Sequence, residues 1–337
     1  MKVLVTGGSG YIGSHVVVEL YAAGHEAIIV DNLSNSERSA LDGIAELIGH
    51  KPIFYEIDYR DTEKLSEIIR EHGIDGVIHF AAFLAVGESV ADPLKYYDNN
   101  TAGFIRLLQL LEPLGIPLVF SSSCTVYGVP ETLPIDEQTP WQPPASPYGA
   151  TKQMGEQILK DTTAASKQLK AIALRYFNPI GAHPSAAIGE LPIGTPHHLV
   201  TVMTQAVAGL RDELVVLGDD YDTPDGSCIR DYIHVVDLAH AHIAALTHLQ
   251  GQKSGHYDVF NIGTGHGNTV LEVIKTFEKA TNKKVPYRIG ERRPGDVPAV
   301  YADVSKATKT FGWQAKHSLE DALADAWRWQ EKQGSKV

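Results

Sequence analysis

Short apolar runs and longer amphipathic stretches alternate through the first half of the chain. The runs are Lys2 to Thr6, Ala27 to Val30, Ile53 to Ile57, Gly76 to Phe80, Leu118 to Ser121 and Ala171 to Tyr176. Most are apolar at consecutive rather than alternate positions, as strands covered on both faces of a parallel sheet must be. Between them, Ile12 to Ala23, Glu63 to Glu71, Thr101 to Leu111 and Tyr148 to Ala165 place apolar residues at helical spacing. Repeated strand–helix alternation predicts an α/β fold built on a doubly wound parallel sheet with right-handed crossovers.

The rhythm breaks after Asn178, where Pro179, Gly181, Pro184, Gly189, Pro192, Gly194 and Pro196 interrupt any regular element. A loop-rich stretch of this length inside a compact protein is expected to cover a ligand or to move. Apolar signals return at Asp231 to Leu249 and Val259 to Gly263, read as the chain rejoining the first sheet. The remainder, with helical patterns at Thr269 to Thr281 and Leu319 to Gln333, is expected to form a smaller C-terminal α/β lobe. The division expected is therefore residues 1–180 plus about 231–263 in one unit, and 181–230 plus 264–337 in the other. The polar tail after Trp329 is expected to fray.

The first strand ends in Thr6-Gly7-Gly8-Ser9-Gly10-Tyr11-Ile12-Gly13, which holds a literal G-x-G-x-x-G at Gly8, Gly10 and Gly13. Its context matters more than the string. It follows a strand and opens a helix, so backbone without side chains can approach a pyrophosphate at the positive helix end. This makes the sheet Rossmann-type and predicts a dinucleotide. Asp31 follows the second strand, 18 residues past Gly13, near the ~20 expected for a carboxylate bonding an adenosine ribose. A ribose 2'-phosphate would be repelled there, so NAD is favoured over NADP. Asp31 as a plain turn residue, and Asp58 as an ordinary strand-end carboxylate rather than an adenine neighbour, stay open as alternatives.

Composition narrows the partners. The 337 residues are 43% hydrophobic and 21% charged, enough for a sizeable core. Lys and Arg total 29 against 41 Asp and Glu, a formal net charge of -12 without a long basic run. Nucleic acid is therefore not an expected partner, although one or two arginines can still bind a small anion. No window approaches the ~18 apolar residues of a membrane span, and Met1-Lys2 runs straight into Val3-Leu4-Val5 without a signal core. Two cysteines, Cys124 and Cys228, cannot staple a chain of this size, so a cytoplasmic home is expected. No metal site is expected.

Tyr148 and Lys152 stand four residues apart, on one helical face, and none of the other 13 tyrosines has a lysine at that distance. A nearby ammonium stabilises phenolate, which general-base chemistry on an alcohol requires, so the tyrosine is expected to titrate below its usual value of about 10. The strand ending at Phe120 continues as Ser121-Ser122-Ser123-Cys124-Thr125. In a parallel sheet these hydroxyls lie at the same carboxyl edge as the glycine turn. One of them can hydrogen-bond a substrate hydroxyl, and at least one is expected only to cap or turn the chain.

These residues resemble the extended short-chain dehydrogenase/reductase superfamily, and within it the UDP-glucose 4-epimerase family. The resemblance covers nearly the whole chain. It includes Val77-Ile78-His79-Phe80-Ala81, Tyr96-Tyr97-Asp98-Asn99-Asn100, Ser121 to Gly128, Leu174 to Pro179, Arg230-Asp231-Tyr232-Ile233-His234 and Arg293-Pro294-Gly295-Asp296. It implies an isomerase of carbohydrate metabolism that works as a homodimer: NAD takes a hydride from C4 of a UDP-hexose, a 4-keto sugar turns over, and the hydride returns to the other face. By resemblance Tyr148 is the acid/base, Ser123 bonds O4, and Lys152 serves Tyr148 and the nicotinamide ribose. Gly7, Gly10, Tyr11, Ile12, Gly13, Asp31, Asn32, Asp58, Phe80, Asn99 and Phe177 would border NAD. Asn178, Leu199, Arg230, Arg293 and Asp296 would hold the UDP-sugar.

The chain also departs from the family. Leu84 stands where a lysine is usual, and Thr195-Pro196-His197-His198-Leu199 replaces a pair of asparagines. His198 is expected either to reshape the sugar pocket or to face solvent. Val300 is a small residue where the family carries a pocket-wall residue, and by that resemblance UDP-GlcNAc and UDP-GalNAc are expected to be accepted beside UDP-glucose and UDP-galactose unless His198 refills the space. Two alternatives stand beside this reading. A 4,6-dehydratase or related enzyme would need an acid or base after Ser123, where Cys124, Thr125 and Val126 offer none; a non-catalytic NAD sensor would have no need for Ser123, Tyr148 and Lys152 together.

Overall fold

The computed structural model describes residues 1–196, 198–293 and 295–334. The first part runs β1 (Lys2–Thr6), α1 (Tyr11–Ala22), β2 (Glu26–Asp31), α2 (Ser39–Ile48), β3 (Ile53–Glu56), α3 (Thr62–His72), β4 (Gly76–His79), α4 (Val86–Ala91) and α5 (Pro93–Tyr96). A wide π-helical turn (Tyr97–Gly103) leads into α6 (Phe104–Leu111), β5 (Leu118–Ser123), α7 (Pro147–Ala165) and β6 (Ala171–Tyr176). Then follow β7 (Asn178–Ile180), α8 (Leu199–Val207), β8 (Leu214–Leu217), β9 (Ile229–Arg230), β10 (Tyr232–His234), α9 (Val235–Gln250) and β11 (Tyr257–Ile262). The chain finishes with β12 (Asn268–Thr269), α10 (Val270–Thr281), β13 (Tyr287–Gly290), β14 (Ala299–Val300), α11 (Ser305–Phe311) and α12 (Leu319–Gly334).

Seven strands form one parallel sheet in the order β11-β6-β5-β4-β1-β2-β3. The order reverses between β1 and β4, and a doubly wound sheet opens its ligand crevice at the carboxyl ends flanking that reversal. There Thr6 on β1 and His79 on β4 share a buried hydrogen bond of 2.7 Å. Apolar side chains cover both faces: Val3, Val5, Ile29, Ile78 and Ile172 on one, Leu4, Ile28, Val77, Leu118 and Ala171 on the other. This two-sided burial is why the strands read as continuous apolar runs. The rest of the chain makes three small sheets, β10-β7, β12-β9-β14 and β13-β8.

Three elements differ from the sequence pattern. The helix expected at Thr101 starts as the π-helical turn at Tyr97. Gly103 faces Tyr59, whose hydroxyl donates to the Asn99 carbonyl and draws that carbonyl out of the regular ladder. Helix α2 escaped the reading because Gly43 interrupts its pattern. A Cβ at Gly43 would lie 2.2 Å from the Ala187 carbonyl oxygen, so the glycine lets the 183–188 loop lie against the helix. The tail does not fray at Trp329: α12 continues to Gly334 and Gln330 is buried. The Trp329 indole donates to the Glu190 carbonyl at 3.0 Å, which pins that end.

Candidate active site

The glycine turn is shaped for backbone contact. Gly7 has φ +74, and a Cβ there would lie 2.8 Å from the Ala81 nitrogen. A Cβ on Gly13 would lie 2.2 Å from the Gly7 carbonyl oxygen, so the first turn of α1 packs directly on the loop before it. Gly10 caps α1 without a side chain, and no acidic residue occupies the first turn. The positive helix end thus faces the crevice without an internal carboxylate to neutralise it. Buried beside it, the Ser9 hydroxyl has no partner among the described residues. This cradle fits a pyrophosphate.

Asp31 ends β2 and is buried, and its carboxylate accepts from the Ser9 and Leu33 backbone N–H groups at 3.0 and 2.9 Å. It therefore braces the glycine turn. Asn32 donates to Asp58 at 3.0 Å, and Arg60 pairs with Asp58 at 2.8 Å, chiefly holding that carboxyl below its ordinary range. Phe80 follows β4 and its backbone N–H bonds the Thr6 carbonyl; Asn99 is buried in the π-helical turn and donates to Asn100 at 2.9 Å. The Tyr11 hydroxyl reaches the Gly181 carbonyl at 2.7 Å, tying the glycine turn to the long loop. Ile12, Gly13 and Phe177 also lie at this edge, Phe177 buried and bonded through its N–H to Ile262. Leu84, where a cation was missed, is exposed.

Helix α7 lies against β5, with Ser146 capping its start and Pro147 in its first turn. Tyr148 and Lys152 lie one turn apart on it. The Lys152 ammonium is buried, donates to the Ser121 carbonyl at 2.6 Å, and sits 5.8 Å from the centre of the Tyr148 ring. The Ser123 side chain beside Tyr148 favours the phenolate, but burial dominates and raises the phenol well above its ordinary value. The expectation of a lowered tyrosine pKa therefore fails for the protein alone. Burial also lowers Lys152 to about 8, so around neutrality the lysine is charged and the tyrosine holds its proton.

The second cluster comes from the smaller sheets. Arg230 on β9 pairs with Asp296, and Val300 on β14 lies in register with Arg230. Asn178 on β7 bonds through its N–H to the Asp231 carbonyl, while its side-chain oxygen is buried without a partner among the described residues. Leu199 opens α8. Arg293 is exposed next to Gly295 and Asp296 in a loop, and His197 and Pro294 lie outside the described residues. His198 is more than half exposed, and its Nδ1 meets Glu190 at 2.5 Å, a pairing that raises its pKa.

Sequence reasoning missed residues behind these. Glu156 is buried on α7 with Arg175 from β6, and Tyr176 hydrogen-bonds Ser121. The spacing Tyr148, Lys152, Glu156 was the available signal, one helical face continued by another turn. Among the described residues no group of three or more His, Cys, Asp or Glu could hold a metal ion, and no helix is long and apolar enough to cross a membrane.

Comparison with known proteins gives the chain its family. The chain is 50% identical over 331 residues to the UDP-glucose 4-epimerase of Bacillus subtilis (strain 168), covering 98% of this chain and 97% of the relative. It is 48% identical to that of Yersinia pestis, covering 98% of both. Among solved structures it resembles a UDP-glucose-4-epimerase from Stenotrophomonas maltophila with bound NAD and formylated UDP-arabinopyranose, with TM-score 0.97, 47% identity and full coverage of both chains. One from Bifidobacterium longum in complex with NAD+ and UDP gives TM-score 0.94 and 46% identity, again with full coverage of both. The profile of the NAD dependent epimerase/dehydratase family matches residues 3–263, and the chain belongs to that family.

Proposed function

We propose that this protein is an NAD-dependent UDP-glucose 4-epimerase that interconverts UDP-glucose and UDP-galactose. The observation that carries this reading is the meeting of α7 with the end of β5: Tyr148 beside Ser123, with the buried Lys152 ammonium bonded to the Ser121 carbonyl, next to the glycine cradle. Gly7, Gly10 and Gly13 would take the pyrophosphate of NAD, Asp31 the adenosine ribose, and Asn32, Asp58, Phe80, Asn99 and Phe177 its flanks. NAD, when bound, supplies a positively charged nicotinamide that takes a hydride from the sugar carbon and gives it back.

The side chains then have defined tasks. Tyr148 takes the proton of the sugar 4-hydroxyl and later returns one to O4. Ser123 holds O4 in line with it. Lys152 supplies a positive charge that stabilises the phenolate against the burial that otherwise keeps the phenol protonated. The sugar loses a hydride from C4 and a proton from its 4-hydroxyl to become a 4-keto sugar, turns over, and regains the hydride on the opposite face of C4 and the proton on O4, so no net oxidation occurs. Arg230 and Arg293 would offset the diphosphate of the substrate on a chain of net charge -12. Asn178, Leu199 and Asp296 would frame the uridine and sugar, and the short Val300 side chain would leave room for an N-acetyl group.

On this reading residues 1–180 with 231–263 hold the dinucleotide, and 181–230 with 264–337 hold the sugar nucleotide. A second copy of the chain would pack on the exposed Val90, Leu94, Ile105 and Met154 of α4 to α7, where Leu94 is 77% exposed. The two free cysteines suit a reducing cytoplasm. The test is incubation of the purified protein, without added cofactor, with UDP-galactose or UDP-GalNAc, followed by anion-exchange chromatography. The 4-epimer of each sugar is expected. A 4-keto-6-deoxy product, or no reaction even with NAD added, would overturn the reading; turnover of UDP-galactose alone would refute only the role given to Val300.

A further inference from the structure

Three successive residues at the end of β5 each meet a different residue of α7. Ser123 lies beside Tyr148, the Ser121 carbonyl accepts from Lys152, and the Ser122 hydroxyl donates to Glu156 at 2.5 Å. Tyr148, Lys152 and Glu156 follow at four-residue intervals and so share a helical face. The helix can lie this close because Gly155 faces Phe120, where a Cβ would come 2.6 Å from the ring. Glu156 has no exposed surface, and Arg175 from β6 grips its carboxylate through Nε at 2.9 and 3.1 Å and through Nη2 at 2.6 Å. Arg175 in turn donates to the Tyr127 hydroxyl at 2.9 Å, which donates to Asn261 at 2.6 Å. An ion pair buried this deeply gives little stability over apolar packing of the same size. Its placement one turn beyond Lys152 suggests another use.

We propose that Glu156, fixed by Arg175 and Ser122, is a positioning residue for the 4-epimerase reaction. It keeps the buried Lys152 ammonium charged and locks the end of β5 to α7, so that Ser123 and Tyr148 address the same oxygen. The proposal rests on the reading of Tyr148 and Lys152 as the working pair. Burial pulls Lys152 down to about 8, and the Glu156 carboxylate is the charge that resists this. Glu156 is the anion that acts on Lys152; Glu137, whose carboxylate accepts from the Asn261 N–H at 2.8 Å, faces Tyr127 and Arg175 instead, and the remaining titratable groups packed here are not anions at neutral pH. Tyr148 lies on the same helix, His79 on β4 is kept neutral chiefly by burial, and Tyr176 on β6 keeps its proton. Tyr257 on β11 faces the Glu156–Arg175 pair and is raised by burial too.

The test compares Glu156→Gln/Arg175→Met, which removes both charges at similar volume, with Glu156→Asp, which keeps them. The Lys152 ammonium is titrated by the 15N shift of its Nζ in the protein as purified, beside the alkaline limb of kcat against pH. The double variant is expected to lower the Lys152 midpoint by about one pH unit and to move the alkaline limb with it. Glu156→Asp is expected to keep the midpoint near that of the parent. Should the double variant not fold, Glu156→Gln alone is expected to lower the midpoint further, because the unpaired guanidinium adds a like charge. An unmoved midpoint on loss of the carboxylate, or an equal fall in Glu156→Asp, would overturn the proposal. The titration needs no turnover, so its failure is distinct from failure of the epimerase reading.

Discussion

The seven-stranded sheet and the C-terminal lobe position their residues by different means. In the sheet, parallel ladders up to six residue pairs long set β1, β2, β4, β5 and β6 side by side. Whatever ends or follows each strand therefore arrives at one edge: the glycine turn, Asp31, Phe80, Ser123 and Phe177. In the lobe the strands are two to four residues long, too short to define an edge. There carboxylates hold the loops instead. Asp231 accepts from Thr264 at 2.8 and 2.7 Å, from Gly265 at 3.1 Å and from Ala302 at 3.2 Å. Asp225 takes Ser227 twice and Thr269, and Asp237 takes the N–H groups of Lys316 and His317. The difference suits a division in which fixed chemistry sits on a rigid edge and recognition sits on side-chain-tied loops that can vary.

Acid should separate the two regions most strongly. Burial lowers His15, on α1, and His79, on β4, to about 3, and His242, on α9, to about 4; all three pack against the sheet. His234 at the lobe boundary is lowered to about 4 as well. The unfolded chain binds these protons near pH 6.5 and the native chain does not, so stability is lost as pH falls from 6.5 toward 4. With four such groups the slope reaches up to roughly 5 kcal/mol per pH unit. His198, raised by Glu190, acts with the opposite sign, contributing stability below 6.5 that is lost as pH rises through its folded value. Amide hydrogen exchange between pH 7 and 5 should therefore loosen the sheet strands before α8; loosening of α8 first would break the comparison.

Removing the chemistry without disturbing the edge is the next largest effect. Tyr148→Phe should cut kcat on the order of 10³-fold, about 4 kcal/mol of barrier, with Tm unchanged. Turnover equal to the parent would end the catalytic assignment. Two glycines then test the regions directly. Gly13→Ala places a Cβ 2.2 Å from the Gly7 carbonyl, and Gly226→Ala places one 1.8 Å from the Asp219 carbonyl at φ +81. Each should cost roughly 1–3 kcal/mol. The first should lose bound NAD on gel filtration, whereas the second should raise the KM for the nucleotide sugar and leave NAD in place. Smallest is His198→Asn, which removes an ion pair whose histidine is more than half exposed. It should change stability by less than about 1 kcal/mol and KM only a few-fold, measured by progress curves against UDP-galactose.

The sequence by itself determined much of the sheet, because the two-sided burial of parallel strands writes apolar runs that need no partner to be read. The glycine turn and the Tyr148–Lys152 pair were legible for the same reason, being local patterns with fixed spacing. Helix α2 and the π-helical turn were not, since Gly43 and Gly103 answer to Ala187 and Tyr59, which come from distant parts of the chain. Nor could the pattern place His198 against Glu190 or Glu156 against Arg175. Only the tertiary structure decided the charge state of the site. Spacing along a helix says that an ammonium is near a phenol, but burial, which depends on every element packed around them, pushes Tyr148 up and Lys152 down.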